Sequence, residues 1–504
     1  MKIFTNEEIR AIDRYTIEHD GISSMELIER VAESVTCEII SRWRSNKRIA
    51  IFAGPGNNGA DALAVGRMLI EQGYRPEIFL FNIGGNRLSS DCSASRNRLL
   101  SLGNVDFTEV TGNFSLPDLS QNHLVIDGLF GSGLRDPLTG GFMSLVRYIN
   151  ESRATVVSID VPSGMFSDWN PNSINRNIIH ADLTLAIQFP RLAFFIGDNA
   201  ELVGEWKVLD IELSAEEIRN TPAQYYLVEK NDIKRILRHR NRFSSKADYG
   251  SMMLIAGSYG MMGAAVLSSK AALRAGAGKV SVHTARCGFN IIQTSVPEAI
   301  FDADKHDIAI TDIQLRHEYN AVAIGPGIGT NDITVNALEV FLKSAKEPVI
   351  LDADALNCIA QRPALLNHVP VLSIITPHAG EFDRLFGPQP SAEARLLKAV
   401  EMARYYNILI ILKGHYTAIV RPDGRVYFNS SGNPAMATPG SGDVLTGIIA
   451  AIMAQGYKPE VSALAGVFIH GHAGDIAAAE HGQYGVTAGD IAQNTGKAIA
   501  SIMS

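Results

Sequence analysis

Cysteine is scarce in this sequence: Cys37, Cys92, Cys287 and Cys358 are the only four in 504 residues, and no two form a CxxC pair. That spacing argues against a disulfide framework or a thiolate zinc site and reads as reduced thiols. Long apolar runs are missing too. Nothing approaches the ~20 consecutive apolar residues of a membrane-spanning helix. The first eight residues, Met1 to Glu8, carry acids where a secretory leader needs an apolar stretch. The expectation is a cytoplasmic protein with no membrane partner. Nor is positive charge in excess: 53 acidic side chains face 45 Lys and Arg, for a formal net charge of -8. That balance argues against a general nucleic-acid binder.

What is present is a folded composition, 46% hydrophobic and 19% charged, in a chain too long for one ordinary core. The pattern weakens between Leu213 and Tyr226, where Ser214 to Glu217 and Thr221-Pro222 read as a linker. A boundary near residue 222 gives two domains, 1–222 and 223–504, and no internal repeat relates them. In both, short apolar strands alternate with glycine-bearing turns and helices, the pattern of a layered α/β fold whose ligands collect at the carboxyl ends of parallel strands.

In the second domain, strands at Met252–Ala256, Ala321–Ile324, Val349–Leu351, Ile374–Ile375 and Ile408–Leu412 each run into a polar turn. The most informative stretch is Thr438-Pro439-Gly440-Ser441-Gly442-Asp443. Val444, Leu445, Ile448, Ile449 and Ile452 repeat at helical spacing, so a buried helix starts at Ser441 or Gly442. Small residues at a helix start let an anion approach the unpaired N–H groups. Asp443 would then stand where it can take a proton from a hydroxyl attacking a phosphoryl group. An acid in the first turn can equally be a cap. No Lys follows the glycines, so this is not a P-loop. His470 and His472, two apart on a helix, read as structural.

The first domain carries Gly54-Pro55-Gly56-Asn57-Asn58-Gly59-Ala60-Asp61 between a strand at Arg48–Ala53 and a helix. Strand-like Glu77–Phe81, His123–Ile126 and Thr155–Ile159 follow, the last two ending at Asp127 and at Asp160-Val161-Pro162-Ser163. A shared sheet edge brings Asn58, Asp127, Asp160 and Ser163 together, an oxygen donor set suited to a hard cation.

These motifs are similar to two known families. GPGNNGAD, the Asp of DGLFGSGL and the Asp and Ser of DVPSG resemble the NAD(P)H-hydrate epimerase family over roughly residues 1–215, with departures at Ala60, where that family usually has glycine, and at Ala62. The resemblance implies a potassium ion on Asn58, Asp127 and Ser163. It also implies a hydrate held by Asn57, Asn58, Gly59, Ala60 and Asp61 and by Gly131, Ser132, Gly133, Leu134, Arg135, Asp136 and Pro137, with Asp160 beside the reacting ring as acid or base. GSxxxxGAA, GPG, DADAL, TPHAGE, LKGxxT and TPGSGD together resemble the ADP- or ATP-dependent NAD(P)H-hydrate dehydratases, and GxGD resembles ribokinase-like kinases. This second resemblance implies that Ala265, Gly327, His378 and Asp443 contact the hydrate. It implies that Lys413, Gly414, His415, Tyr416, Thr417 and Gly442 hold ADP or ATP with Mg2+.

The expectation is therefore an α/β protein of two three-layer domains, N-terminal Rossmann-like and C-terminal ribokinase-like, working on hydrated NADH and NADPH as a homo-oligomer. One domain would interconvert the R and S hydrates and the other dehydrate the S form. Two other readings fit the residues: a ribokinase-like small-molecule kinase with an N-terminal nucleotide sensor, and a pair of non-catalytic nucleotide-binding modules.

Overall fold

The computed structural model describes residues 1–83, 87–170 and 177–504. It divides into two compact units, Lys2–Ala223 and Gln224–Ser504, the latter with Met1.

The first unit is built on β1 (Arg48–Ala53), β2 (Pro76–Phe81), β3 (Phe107–Val110), β4 (His123–Gly128), β5 (Thr155–Ile159), β6 (Leu183–Ile187) and β7 (Glu205–Leu209). They form a seven-stranded sheet in the order β3-β2-β1-β4-β5-β6-β7, every neighbouring pair parallel. Alternation along β1 sends Ala50 and Phe52 into a cluster with Leu145, Val146 and Ile149 of the helix Gly140–Glu151. Ile51 faces the opposite helix, Asn57–Glu71, where Gly66 leaves room for it and for Ile78. Both faces are covered, as a parallel sheet requires. Strand order reverses between β1 and β4, and that crevice is where a ligand of such a sheet sits. Two further helices, Asn6–Asp20 and Ser24–Arg42, agree with the periodicity of Ile9, Ile12, Leu27, Ile28 and Val31. The stretch read as a linker contains a short helix, Ala215–Asn220. It has no buried residue and hence no apolar periodicity to reveal it.

The second unit contains β8 (Tyr225–Val228), β9 (Ser251–Ile255), β10 (Lys279–Thr284), β11 (Ile300–Ala303), β12 (Ala321–Ile324), β13 (Ile350–Leu351), β14 (Ile374–Ile375), β15 (Leu409–Leu412), β16 (Ala418–Val420) and β17 (Val426–Asn429). Their order is β8-β17-β16-β15-β14-β13-β12-β9-β10-β11. From β11 through β15 all pairs are parallel, while β16 runs antiparallel to both its neighbours. The reversal lies between β12 and β9. One face packs on the helices Met262–Arg274, Ser441–Ala454, Pro459–His481 and Ala488–Met503. Met253, Ile255 and Ile324, which alternate to the other face, are also buried. Every residue from Val444 to Ala454 is buried, so the helix after Asp443 is enclosed all round. A Cβ on Gly447 would lie 2.1 Å from the Ser268 carbonyl oxygen, so only glycine lets these two helices pack this closely.

Candidate active sites

At the first crevice the chain turns so tightly that side chains have no room. A Cβ on Gly54 would lie 1.7 Å from the Leu129 carbonyl oxygen, and one on Gly59 would lie 1.7 Å from that of Gly54. Gly56 caps the helix Asn57–Glu71 without a side-chain bond, which leaves the asparagine side chains unused by the cap. Ala60 lies inside this helix with its methyl buried, and it is absent from the described non-glycine residues with positive φ. The departure from glycine there creates no strain. Asn58 is unusual: its buried Oδ1 and Nδ2 both have no hydrogen-bond partner among the described residues. An unsatisfied buried polar group costs about 1–3 kcal/mol, so a bound group that paired with this side chain would recover that cost.

Asp127, at the end of β4, is fully buried. Its Oδ2 accepts from Ser158 Oγ at 2.8 Å and from the Ser163 N–H at 2.9 Å, and its Oδ1 from Ser163 Oγ at 2.5 Å and the Leu129 N–H at 3.3 Å. Burial raises its pKa against the pull of these donors. Asp160 follows β5 at a φ of 70°, a conformation few non-glycine residues adopt and one that clusters at functional sites. Both its oxygens are occupied. Oδ1 accepts from Nε of the buried Arg191 at 2.9 Å and from its Nη2, and Oδ2 accepts the Ser132 N–H at 2.8 Å. Arg191 and the Ser132 N–H thus hold the carboxyl group in one orientation at the cavity edge.

A cavity of about 690 Å3 opens above these residues. Asn57, Asn58, Asp61, Asp160 and the run Gly131, Ser132, Gly133, Leu134, Arg135, Asp136 line it. Gly59, Ala60 and Pro137 do not line it, and Asp127 and Ser163 lie buried outside the lining. Asp13, Arg10 and Arg191 line it as well, and sequence reasoning passed over all three. Burial, with Asp160, Asp13 and Asp91 nearby, pushes the Asp61 carboxyl well above the usual range.

In the second unit the helix Ser441–Ala454 starts at Ser441, with Gly440 at φ 88° as a cap that makes no side-chain bond. The Gly442 and Asp443 amide hydrogens have no acceptor among the described residues, so the turn presents free donors at the positive end of a helix. The Asp443 side chain takes no part in capping and has no hydrogen-bonded partner among the described residues. Its pKa is raised to about 7 by burial first, then by Asp352, with Lys413 pulling the other way. Such a value suits a general base at neutral pH.

Lys413 follows β15 and lies between two buried acids, with Nζ 3.0 Å from Asp352 Oδ1 and 3.5 Å from Glu381 Oε2. Burial opposes its charge, but the two acids prevail and raise its pKa. Asp352 also accepts from Thr446 Oγ1 at 2.8 Å, which ties the strand end to the Asp443 helix. The next residue, Ala353, is at φ 48°, a second strained position beside an acid. His378 caps the helix Ala379–Phe386: its Nδ1 accepts from the Gly380 and Glu381 N–H groups, at 3.0 and 3.3 Å.

A cavity of about 800 Å3 adjoins this corner, lined by His378, Lys413, Gly414, His415, Thr417, Ser441, Gly442 and His470 among others. Asp443, Tyr416, Ala265 and Gly327 are not in its lining. Tyr416 lies edge-on to His415. Ala265 is buried beside Gly257, and Gly327 is pressed against Met261 at φ 65°. His470 bonds Ser441 Oγ at 3.2 Å, and burial lowers its pKa to about 4, so it is neutral. His472 reaches Ser501 instead. The acids Asp352 and Glu381 went unassigned in the sequence although DADAL and TPHAGE contain them.

Residues 24–193 match the family described as YjeF-related protein N-terminus, and residues 252–497 match the family described as NAD(P)H-hydrate dehydratase. The bifunctional NAD(P)H-hydrate repair enzyme Nnr of Thermofilum pendens is 33% identical over 516 residues, covering 100% of this chain and 97% of that protein. The enzyme of the same name from Moorella thermoacetica is 33% identical over 523 residues, covering 97% and 95%. Among solved structures, the ADP/ATP-dependent NAD(P)H-hydrate dehydratase from Bacillus subtilis, co-crystallised with ATP/Mg2+, is 32% identical. It covers 55% of this chain and 98% of that one, with a TM-score of 0.49.

Proposed function

Because the chain belongs to the family of bifunctional NAD(P)H-hydrate repair enzymes, we propose that its two cavities divide the work, epimerisation in residues 1–222 and nucleotide-driven dehydration in 223–504. The substrates are the R and S forms of hydrated NADH and NADPH, and the S form is returned to NAD(P)H at the expense of ADP or ATP.

Hydration leaves a hydroxyl on a saturated ring carbon, and hydroxide is a poor leaving group. Asp443 takes the hydroxyl proton as the oxygen attacks the nucleotide's terminal phosphorus, and the free amides of Gly442 and Asp443 receive the charge on the transferring group. Phosphate then leaves as the ring nitrogen's electron pair restores the double bond. The observation that carries this half is Asp443 itself, a carboxyl group with a pKa raised to about 7 and no hydrogen-bonded partner among the described residues, beside amide donors that likewise lack one. The adenine nucleotide occupies the cavity of about 800 Å3, against Lys413, Gly414, His415, Thr417 and Gly442. Asp352 and Glu381 are engaged by Lys413, so Mg2+ arrives on the nucleotide's phosphates, as is usual for this ion.

For the first half, Asn58 supports the potassium reading. Its Oδ1, unpaired among the described residues, is a ready ligand, and the other two expected ligands, Asp127 and Ser163, are bonded to each other. When bound, the ion fixes this end of the cavity electrostatically. Asn58→Leu is expected to abolish the response of epimerase rate to added potassium chloride against a sodium chloride control; a full response in the variant removes Asn58 from the ion site. Four unpaired cysteines and nucleotide substrates fit work in the cytoplasm, and the resemblance implies a homo-oligomer.

The decisive assay follows absorbance of the reduced nicotinamide ring. Hydrated NADH with ADP or ATP is expected to regain it, the R form only through prior conversion to S. Release of a stable phosphorylated product without recovered absorbance would instead favour a kinase.

A further inference from the structure

Four carboxyl groups line the first cavity. Three of them, Asp13, Asp61 and Asp160, act on one another electrostatically and are held in different ways, while Asp136 lies on the glycine run and has no such coupling to Asp13. Asp160 has both oxygens bonded to Arg191 and to the Ser132 N–H. Asp61, on the helix behind the glycine turn, is buried, and burial with Asp160 and Asp13 nearby raises its pKa well above the usual range. Asp13 is neither clamped nor sealed. It sits on the helix Asn6–Asp20, lines the cavity, and receives no hydrogen bond from any described residue. The charged groups around it are Arg191 and Asp160 from the sheet edge, Asp61 from the facing helix, and Arg10 one turn earlier on its own helix.

We propose that Asp13 is the proton-exchanging catalytic residue of the epimerase, while Asp160, fixed by Arg191, is a positioning charge. The inference rests on the epimerase reading of this domain and names the group that does its chemistry. The carbon that changes configuration bears the hydroxyl and, on general grounds, adjoins the ring nitrogen. Water adds there because the other double bond is conjugated with the carboxamide. Inversion needs one bond at that carbon to break and re-form. The Asp13 carboxylate takes the hydroxyl proton, the oxygen's electron pair forms the carbonyl, and the carbon–nitrogen bond breaks with its pair going to nitrogen. Asp13 returns the proton to that nitrogen. The aldehyde turns about its carbon–carbon bond, and the same steps in reverse close the ring on the other face. No proton or electron is gained or lost. The two atoms that exchange the proton are attached to one carbon, within reach of one carboxyl group. Its pKa, raised to about 6 by burial, with Arg191 lowering and Asp160 raising it, suits a group that must accept and then donate.

The test uses the full-length protein without nucleotide, following conversion of purified R hydrate to S by chromatography, with later dehydration of S hydrate as the concentration standard. Asp13→Asn is expected to lower kcat about 100-fold or more with KM within a few-fold, and Asp13→Glu to recover part of the rate. In the unaltered enzyme kcat/KM should rise with pH through about 6, and this limb should vanish in Asp13→Asn. A flat profile from pH 5 to 8 in the unaltered enzyme overturns the assignment, whatever the variants do. So does Asp13→Asn with a rate within threefold of the unaltered one. If the unaltered enzyme leaves the R hydrate unconverted while it dehydrates the S form, the epimerase reading itself falls, a different outcome from either.

Discussion

Asp443→Asn is expected to retain adenine nucleotide binding and to lose dehydration turnover by roughly 100-fold to 10,000-fold, the usual contribution of a positioned general base. The two effects separate because the cavity of about 800 Å3 is lined by Gly442, Lys413 and Thr417 and not by the Asp443 side chain. In the unaltered enzyme, kcat/KM for the S hydrate should rise with pH as Asp443 ionises, with a midpoint near 7. The same shift makes a stability prediction of opposite sign. A carboxyl group whose folded pKa lies above its ordinary value of 3.8 keeps a proton that the unfolded chain releases, so stability falls as pH rises from about 4 to 7. Removing the charge should therefore stabilise the protein, by on the order of 2 kcal/mol after allowing for partial exposure. The gain should appear at pH 8 and shrink at pH 4 in denaturant titrations. Unchanged turnover in the variant would take Asp443 out of the reaction.

Much of this site could be read from residue order, because its signals are local. The helix start at Ser441 is written in the switch from glycines to Val444, Leu445, Ile448 and Ile449, and it falls where that switch predicts. The strands that were read, such as Arg48–Ala53 and Ala321–Ile324, are buried on both faces and run straight into a glycine or acidic turn. Leu183–Ile187 and Lys279–Thr284 are as buried but lack such a turn motif and were not read. Edge strands such as Phe107–Val110 and Glu205–Leu209 were passed over, since half their residues face water and their apolar content is too small to register. Asp352 and Glu381 look like ordinary acids at a strand end and a helix start. Only the parallel register of β13, β14 and β15 carries both to Lys413. Asp13 lies outside every glycine motif, and nothing in its neighbours along the chain shows that its helix borders the cavity.

Lys413→Met should be the most damaging substitution for the stability of the second unit. The lysine side chain is 21% exposed, but the acids it faces are enclosed, and its removal leaves Asp352, almost fully buried, and Glu381 without their lysine partner. Breaking a buried pair from one side costs about 3–5 kcal/mol, because the remaining charge stays in a poorly polarisable surrounding. A kinetic consequence accompanies the loss. Lys413 is the positive charge that lowers the Asp443 pKa, while Asp352, Asp354 and Glu381 raise it. Without it the rising limb of the dehydration profile should move above pH 7, so residual activity should recover in alkaline buffer. Adding Asp352→Asn to Lys413→Met removes one uncompensated acid and should restore part of both the stability and the midpoint, by more than independent effects allow. If the two substitutions are additive in denaturant titrations and the pH profile stays in place, Lys413 serves the nucleotide alone and Asp443 owes its proton affinity to burial.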